Sequence, residues 1–298
     1  GTAAAAAAAA GAKPPLLYLP GMDGLGISAE AQLPALSENF DVYRMVLPAT
    51  DRSTFAGLTN NGSDGGANSS GDGAIILGES FGGLLALGLA LDRPSLVLAL
   101  FLVNPASSID RTPWGSLGAA LAAVPDVPYR AGALLAFAGT IPDFQQVRST
   151  CTFFLKLQVA DVAGILLDPR RDDIPLLRRP AALASRIGDL WGQIGAVADN
   201  LPQDTLQWRL REWLAAGAAA VNPRLGEIAV PTLVVAGSAD RLLPSRAEAE
   251  RLAKLLKNCE TMVVEGRGHV PLFDGAFQLA KTVEKHPAVA ALLARTAV

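Results

Sequence analysis

The chain has 298 residues, of which 50% are hydrophobic and 18% are charged, and its formal net charge is −3. This composition excludes a disordered chain, which requires low hydrophobicity and high net charge, and it argues against a nucleic-acid-binding protein, which usually has a basic domain. A transmembrane span needs about 20 consecutive apolar residues. The longest apolar run, Pro94 to Ile109, is interrupted by Asn104 and Pro105. We therefore expect a soluble globular protein and leave peripheral association with a lipid surface open.

Residues 1–13 are expected to form a low-complexity tail, because they contain the tract Ala3–Ala10 and precede the first apolar run. Short apolar runs bounded by proline or glycine then predict buried strands. These runs are Leu16–Pro20, Val42–Leu47, Ala74–Leu77 and Val97–Val103, and a helix is predicted over Leu84–Leu91. Strands that are apolar throughout and alternate with helices indicate a parallel sheet covered on both faces. We therefore predict an α/β fold.

The segment Gly57–Gly73 breaks this pattern. It reads GLTNNGSDGGANSSGDG and has almost no apolar residues, so we predict that it forms no packed helix. A crossover between parallel strands normally contains a helix. We expect a loop connection here, which would leave one face of the sheet partly uncovered.

Residues 106–226 differ from both ends of the chain. They are rich in alanine and leucine, are broken repeatedly by proline, and contain all four tryptophans. Runs typical of strands are scarce. We predict an inserted helical cap or lid that divides the α/β core into residues 14–105 and 227–298.

The α/β pattern resumes after the predicted cap. Strands are predicted at Thr232–Ala236 and Glu260–Glu265, and helices at Ser245–Lys257 and Gly275–Lys285. Ser245 is the predicted N-cap of its helix, because Glu248 follows three residues later and completes a capping box. The order of elements on both sides of the cap therefore favours one continuous sheet.

The pattern Gly78-x-Ser80-x-Gly82 lies between an apolar strand and an apolar helix. A serine nucleophile at this junction needs a sharp turn that lifts its oxygen above the sheet, and the two glycines leave room for that backbone. The N-terminus of the following helix favours the negative charge of a tetrahedral intermediate. We predict that Ser80 is a nucleophile; the alternative is an ordinary tight turn whose glycines serve packing.

Only two histidines could act as the base for Ser80. His269 follows the last predicted strand in a glycine-rich turn, whereas His286 lies near a helix end and is expected to be solvated at the surface. Asp240 directly follows a strand and is the candidate that orients the imidazole, although a simple turn aspartate is the alternative. The chain order Ser80, Asp240, His269 is that of α/β-hydrolase triads.

Two backbone amides are predicted to bind the oxyanion, that of Phe81 after the nucleophile and that of Met22 in the loop after the first strand. Asp23 in the same loop could face the site, but a turn aspartate is the preferred interpretation. The sequence contains no phosphate loop, paired-cysteine metal spacing or dinucleotide fingerprint, so we expect no cofactor and no metal.

A second motif offers an alternative chemistry. His269 and Asp274 match H-x-x-x-x-D, the dyad of glycerolipid acyltransferases. So short a match arises easily by chance, and this interpretation leaves Ser80 and Asp240 unexplained.

The chain contains, in this order, LLYLPGMDGLG, DRSTFAGL, GESFGGLLALGLALDRP, VNPASS, AGSADRLLPSRAEAERL and GHVPLFDG. Together these stretches resemble the hydrolase half of the plastid phytyl ester synthase and diacylglycerol acyltransferase family, part of the esterase/lipase/thioesterase group. The resemblance covers residues 14–285 and maps Ser80, Asp240 and His269 onto the family's triad.

This resemblance implies an α/β-hydrolase that transfers acyl groups from acyl-CoA, acyl carrier protein or galactolipid to phytol or diacylglycerol, in chloroplast plastoglobules or thylakoids. Water as the acceptor would make the same acyl-enzyme an esterase. The chain departs from the family in the Gly57–Gly73 tract, in sequence missing upstream, and in stopping before a second, acyltransferase-like domain. These departures motivate an alternative, a non-catalytic or truncated hydrolase remnant that acts as a lipid-binding module.

Overall fold

The computed structural model describes residues 13–61, 73–113, 175–178, 180–181, 196, 199–240, 242–272 and 277–296. Within these residues, six parallel strands form one sheet in the order β2-β1-β3-β4-β5-β6. The strands are β1 (Pro15–Leu19), β2 (Asp41–Arg44), β3 (Ala74–Glu79), β4 (Val97–Val103), β5 (Thr232–Gly237) and β6 (Cys259–Val264). The predicted parallel sheet is therefore confirmed, and only the ends of its strands differ from the prediction.

Helices cover the sheet in the described part of the chain. They are α1 (Leu33–Leu36), α2 (Phe55–Asn61), α3 (Phe81–Asp92), α4 (Gln203–Trp208), a π-helical turn (Arg209–Ala215), α5 (Ala216–Val221), α6 (Ser245–Leu255), α7 (Leu279–Lys285) and α8 (Pro287–Thr296). Short 3-10 helices occur at Ile27–Gln32, Pro94–Leu96, Ala106–Arg111, Leu176–Arg178 and Asn222–Glu227. The helix α3 is apolar all round, as expected of a helix enclosed by the core.

Two hydrophobic clusters pack on opposite faces of the sheet, because successive side chains of a strand point to opposite faces. In β3, Ile76 belongs to one cluster, whereas Ile75 and Leu77 belong to the other. The first face is covered by α2, α3, α5 and α6, and the second by α1, α7 and α8. The double cover explains why the inner strands β1, β3, β4 and β5 are largely apolar, whereas the edge strands β2 and β6 are more exposed.

The prediction that Gly57–Gly73 forms no packed helix is wrong for its first residues. The helix α2 extends into this segment and ends at Asn61. Its side chains Phe55 and Thr59 are buried against α3, where a Cβ on Gly88 would lie 2.8 Å from either of them. Packing onto a neighbouring helix thus stabilises a helix whose composition is unfavourable. Residues 62–72 lie outside the described part of the chain.

The predicted cap, residues 106–226, also lies largely outside the described residues, and its boundaries stay a prediction. Near its end, α4, the π-helical turn and α5 follow one another without a break. The resulting rod packs against α3 and buries Trp213 and Val221 in the first cluster. This end of the predicted insertion therefore shares the core of the sheet.

The predictions for Ser245 and His286 are both corrected by the structure. Pro244, not Ser245, is the N-cap of α6, and the capping box is absent because the Ser245 hydroxyl donates to Asp240 instead. His286 is only 7% exposed and packs edge-on against Phe101, with ring centroids 5.3 Å apart, so the prediction of a solvated surface histidine is wrong. Asp240 therefore uses the Ser245 hydroxyl that a capping box would need, and Phe101, a partner remote in sequence, determines the environment of His286.

Candidate active site

Ser80 lies in the sharp turn that joins β3 to α3. Its backbone has φ 55° and ψ −114°, a strained conformation for a residue with a side chain. Its N–H donates to the carbonyl of Val103 at 2.9 Å, and its own carbonyl accepts from the N–H of Gly83 at 3.0 Å. These bonds hold the hydroxyl at the carboxyl edge of the sheet.

The flanking glycines are required by close backbone contacts. A Cβ on Gly78 would lie 2.2 Å from the carbonyl oxygen of Gly82, and a Cβ on Gly82 would lie 2.1 Å from that of Leu19. Neither position tolerates a side chain without displacement of the backbone. The sequence pattern thus reflects tight contact of α3 with β3 and β1.

His269 connects Ser80 to Asp240. Its Nε2 atom lies 2.9 Å from Ser80 Oγ, and its Nδ1 atom lies 2.8 Å from Asp240 Oδ2. Because an ionised carboxylate only accepts hydrogen bonds, Nδ1 carries the hydrogen of the neutral ring and Nε2 accepts from the serine hydroxyl. The structure brings these three predicted site residues together, since each follows a strand of the same parallel sheet.

Burial and pairing act in opposite directions on His269 and Asp240. Burial lowers the pKa of His269, but the charge and the hydrogen bond of Asp240 outweigh burial and raise it above 6.5. Burial raises the pKa of Asp240, but the charge of His269 and the bonds that the carboxylate accepts lower it overall. The pair therefore combines an ionised carboxylate with a basic imidazole, as a general base requires.

The carboxylate of Asp240 is fixed by donors at the start of α6. Its Oδ1 atom accepts from the backbone N–H groups of Leu242 at 2.8 Å and Leu243 at 3.1 Å. Its Oδ2 atom accepts from the Ser245 hydroxyl at 2.5 Å. Sequence reasoning missed this contact of Ser245, although an aspartate shortly before a helix signals an Asx turn.

Asn104 was not predicted as a site residue, yet it fixes the backbone that carries His269. Its side-chain Nδ2 donates to the carbonyls of Gly268 at 3.1 Å and His269 at 2.8 Å. Its Oδ1 accepts from the N–H of Gly237 at 2.8 Å, and its φ is 44°. The N-P dipeptide after β4 signalled a turn, but it carries no information about these distant partners.

The two predicted oxyanion donors have no acceptor among the described residues, since neither Phe81 nor Met22 donates its backbone N–H to them. Phe81 begins α3, where N–H groups lack partners within the helix. The loop of Met22 lies beside the nucleophile, because a Cβ on Gly21 would be 3.8 Å from the Cβ of Ser80. Asp23 is a turn aspartate that accepts from two N–H groups of its own loop.

Glu79 is a buried carboxyl next to the nucleophile that sequence reasoning did not single out. Its Oε2 atom accepts from the hydroxyls of Tyr18, at 3.0 Å, and Ser28, whereas its Oε1 atom has no partner in the described part of the chain. Burial raises the pKa of Glu79 to about 7, although bonds from Ser28 and Tyr18 and the charge of His269 oppose that shift. A charged residue in the apolar run AIILGES was the available signal.

The described residues contain no group of three or more His, Cys, Asp or Glu side chains that could hold a metal ion. Nor does the same part of the chain include a helix long and apolar enough to cross a membrane.

Asp274 of the alternative dyad lies outside the described residues, while the ring of His269 contacts Ser80 and Asp240.

Comparison with known proteins assigns this chain to a family. A family model described as the alpha/beta hydrolase fold matches residues 67–276. The chain belongs to the alpha/beta hydrolase family. The predicted fold class is therefore confirmed. In agreement, the enol-lactonase from Burkholderia xenovorans has a TM-score of 0.58 at 19% identity, with 92% of this chain and 90% of that chain covered.

Two relatives from Arabidopsis thaliana confirm the resemblance to phytyl ester synthases. The chain is 33% identical over 280 residues to "Phytyl ester synthase 1, chloroplastic" and 26% identical over 282 residues to "Phytyl ester synthase 2, chloroplastic". Each match covers 91% of this chain, but only 36% and 37% of the respective relatives. The chain thus spans little more than a third of their length. Family and relatives together support an enzyme of the esterase, lipase or acyltransferase type.

Proposed function

We propose that this hydrolase forms an acyl-serine intermediate on Ser80 and passes long-chain acyl groups to a lipid alcohol or to water. One observation carries the proposal, the continuous chain of contacts from Asp240 through His269 to Ser80, with separations of 2.8 and 2.9 Å. A nucleophile, a base and a group that orients the base are the parts that covalent acyl transfer needs.

In the first half-reaction Ser80 Oγ attacks the acyl carbonyl carbon while its proton moves to His269 Nε2. The carbonyl oxygen becomes an oxyanion that the amides of Phe81 and Met22 stabilise, and one such donor contributes about 3–4 kcal/mol to lowering the barrier. The tetrahedral intermediate collapses, and the imidazolium protonates the leaving thiolate or alkoxide. In the second half-reaction an alcohol or water attacks the acyl-serine carbonyl and loses its proton to His269. The bond between the acyl carbon and Ser80 Oγ then breaks, and the imidazolium returns the proton to Ser80.

The substrate class rests on the relatives, which are named phytyl ester synthases and chloroplastic. We infer phytol or diacylglycerol as acceptors, with acyl-CoA, acyl carrier protein or galactolipid as donors, in the chloroplast at plastoglobules or thylakoids. The residues predicted to form the lid would decide between acceptors, because excluding water from the acyl-enzyme favours transfer over hydrolysis.

Labelling with a fluorophosphonate probe tests the nucleophile. We expect the wild type to be labelled and Ser80→Ala to remain unlabelled, whereas Ser95→Ala, a change at an exposed serine, is labelled like the wild type. Equal labelling of the Ser80→Ala protein would contradict the proposal. It would favour the alternative of a hydrolase remnant that only binds lipid.

Product analysis with a long-chain acyl thioester, with and without phytol, tests the acceptor. Phytyl ester that forms only when phytol and Ser80 are present is the expected result. If free fatty acid is the only product, the acyl-serine mechanism stands, transfer to phytol is contradicted, and the protein is a hydrolase.

A further inference from the structure

Arg209 is a fully buried arginine whose guanidinium contacts backbone carbonyls. Its side chain is 0% exposed. Its Nη1 donates to the carbonyls of Met22 at 2.9 Å and Asp23 at 3.0 Å, and its Nη2 donates to those of Leu47 at 2.9 Å and Pro48 at 3.0 Å. Burial lowers the pKa of Arg209 to about 10, so the group stays charged at neutral pH. One cation thus joins two loops at the carboxyl edge of the sheet.

The first of these loops carries the proposed oxyanion donor Met22. The guanidinium of Arg209 binds the carbonyls of Met22 and Asp23, which belong to the two peptide groups that follow the Met22 N–H. These bonds restrict the rotation of both peptide groups. Asn200 reinforces the contact, because its Nδ2 donates to the Asp23 carbonyl at 2.6 Å and the Leu47 carbonyl at 2.9 Å. The loop is therefore fixed from the insertion, rather than from the sheet alone.

Phe81, the second proposed oxyanion donor, is contacted by a residue of the π-helical turn to which Arg209 also belongs. The Trp213 ring stacks on Phe81 with centroids 4.6 Å apart and planes inclined by 14°. The guanidinium of Arg209 lies over the ring of Trp213, 4.5 Å from its centroid. The indole N–H donates to the Ser53 carbonyl at 2.8 Å, which fixes the ring in its plane. Guanidinium, indole and phenyl ring therefore form one stack beside the nucleophile.

We propose that Arg209 and Trp213, here called the oxyanion clamp, are positioning residues that hold the Met22 and Phe81 amides in the geometry of the oxyanion hole. The proposal rests on the proposed function. Neither clamp residue touches the reacting atoms; each acts through a backbone amide. The π-helical turn Arg209–Ala215 presents both side chains toward the site, and such turns often occur where function requires a locally altered helix.

The planar fork of arginine explains why this residue type occupies the position. Arginine offers five N–H donors in a fixed geometry, whereas lysine offers a compact ammonium that cannot reach four carbonyls in two loops at once. An apolar side chain would fill the volume but remove one donor from each of the four carbonyls, although Asn200 also donates to those of Asp23 and Leu47. A shift of about 1 Å in a positioned group can cost about 100-fold in rate.

The test compares Arg209→Met with Arg211→Met, a matched change on the same turn at a side chain that is 70% exposed. Three quantities are measured: kcat and KM with the long-chain acyl thioester used for product analysis, the fraction of active sites counted by fluorophosphonate titration, and the Ki of an alkyl boronic acid. The boronate adduct with Ser80 places an oxygen in the oxyanion hole. We expect Arg209→Met to lower kcat per active site by about 10- to 100-fold with KM within about 2-fold. The boronate Ki should rise by the same factor, and Arg211→Met should resemble the wild type.

Different failures point to different errors. If the wild type shows no Ser80-dependent turnover, the proposed function fails and the clamp with it. If the wild type turns over and Arg209→Met changes only the active fraction, with kcat per site and boronate Ki unchanged, the residue is merely structural and the clamp is overturned. Should Arg209→Met fail to fold, Arg209→Lys undergoes the same measurements. Lysine keeps the charge but loses the fork, so wild-type kcat and Ki in that variant would also overturn the proposal.

Discussion

At the residue scale, two buried carboxyl groups act on His269 from different environments. Asp240 is ionised because four donors, His269 among them, satisfy its oxygens. Glu79 has one oxygen without a partner among the described residues, and burial raises its pKa to about 7. The carboxyl group of Asp240 is therefore an anion at neutral pH, whereas that of Glu79 titrates there.

The pH dependence of kcat/KM should reflect both carboxylates. A general base must be neutral, so activity rises with pH through the pKa of His269, which lies above 6.5. The charge of Glu79 contributes to that raised pKa, so we expect Glu79→Gln to move the acid limb to lower pH. Glu265→Gln, at an exposed position in the loop before His269, is the control. An acid limb shifted to higher pH in Glu79→Gln would contradict the assignment.

Glu79 should also make stability depend on pH. Its pKa is about 7 in the folded protein against 4.5 as its ordinary value, so the folded state binds the proton more tightly and loses stability as pH rises between these values. One pKa unit corresponds to about 1.4 kcal/mol, so this group should cost about 2–3 kcal/mol between pH 5 and pH 8. Urea denaturation of wild type and Glu79→Gln at both pH values measures this cost. If the difference in free energy of unfolding between wild type and Glu79→Gln is the same at pH 5 and at pH 8, ionisation of Glu79 does not destabilise the protein.

The candidate triad could be predicted at the residue scale because each member lies next to a strong local pattern. Ser80 lies between two glycines, and Asp240 and His269 each follow a buried strand. Asn104 and Arg209 could not be predicted, because their roles depend on carbonyls that are 161 to 187 positions away in the chain. A side chain's hydrogen-bond partners across such separations follow from tertiary packing alone.

At the scale of elements, the β3–α3 junction leaves no room for a side chain at Gly78 or Gly82. Gly82→Ala places a methyl group against the Leu19 carbonyl, where a Cβ would lie at 2.1 Å, and α3 would have to move away from β1. We expect a loss of more than about 3 kcal/mol in the free energy of unfolding, together with loss of Ser80 labelling. Gly226→Ala is the control, because the nearest atom to its Cβ would be at 4.0 Å. Equal stability of both variants would show that α3 is not tightly fixed.

Elements differed from their predictions where packing overrode local composition. The helix α2 forms in a segment of poor helix formers because Phe55 packs against Gly88 of α3. The N-cap of α6 moved to Pro244 because the Ser245 hydroxyl is used by Asp240. Hydrophobic runs located the strands reliably, since a strand buried on both faces has few alternatives. Helix ends depend on polar contacts that the runs do not encode.

At the scale of the whole molecule, three parts of the chain share one core. The first part supplies β1 to β4, the last supplies β5 and β6, and β4 pairs directly with β5. The helical rod near the end of the predicted insertion packs on α3 through Trp213 on Phe81, and its Val221 belongs to the same cluster as Val234 of β5. None of the three parts can complete a hydrophobic face without the others, so the described residues should unfold together.

This coupling predicts that the oxyanion clamp and the nucleophile are lost in one step. In a urea titration, the fluorescence change assigned to Trp213, taken as the difference between wild type and Trp213→Phe, should coincide with the loss of Ser80 labelling by the fluorophosphonate. The reason is that Trp213 is completely buried against the residue that follows the nucleophile. A Trp213 transition that precedes the loss of labelling would separate the rod from the sheet and make the insertion an independent unit. The absence of any cooperative transition would instead favour a lipid-binding remnant over an enzyme.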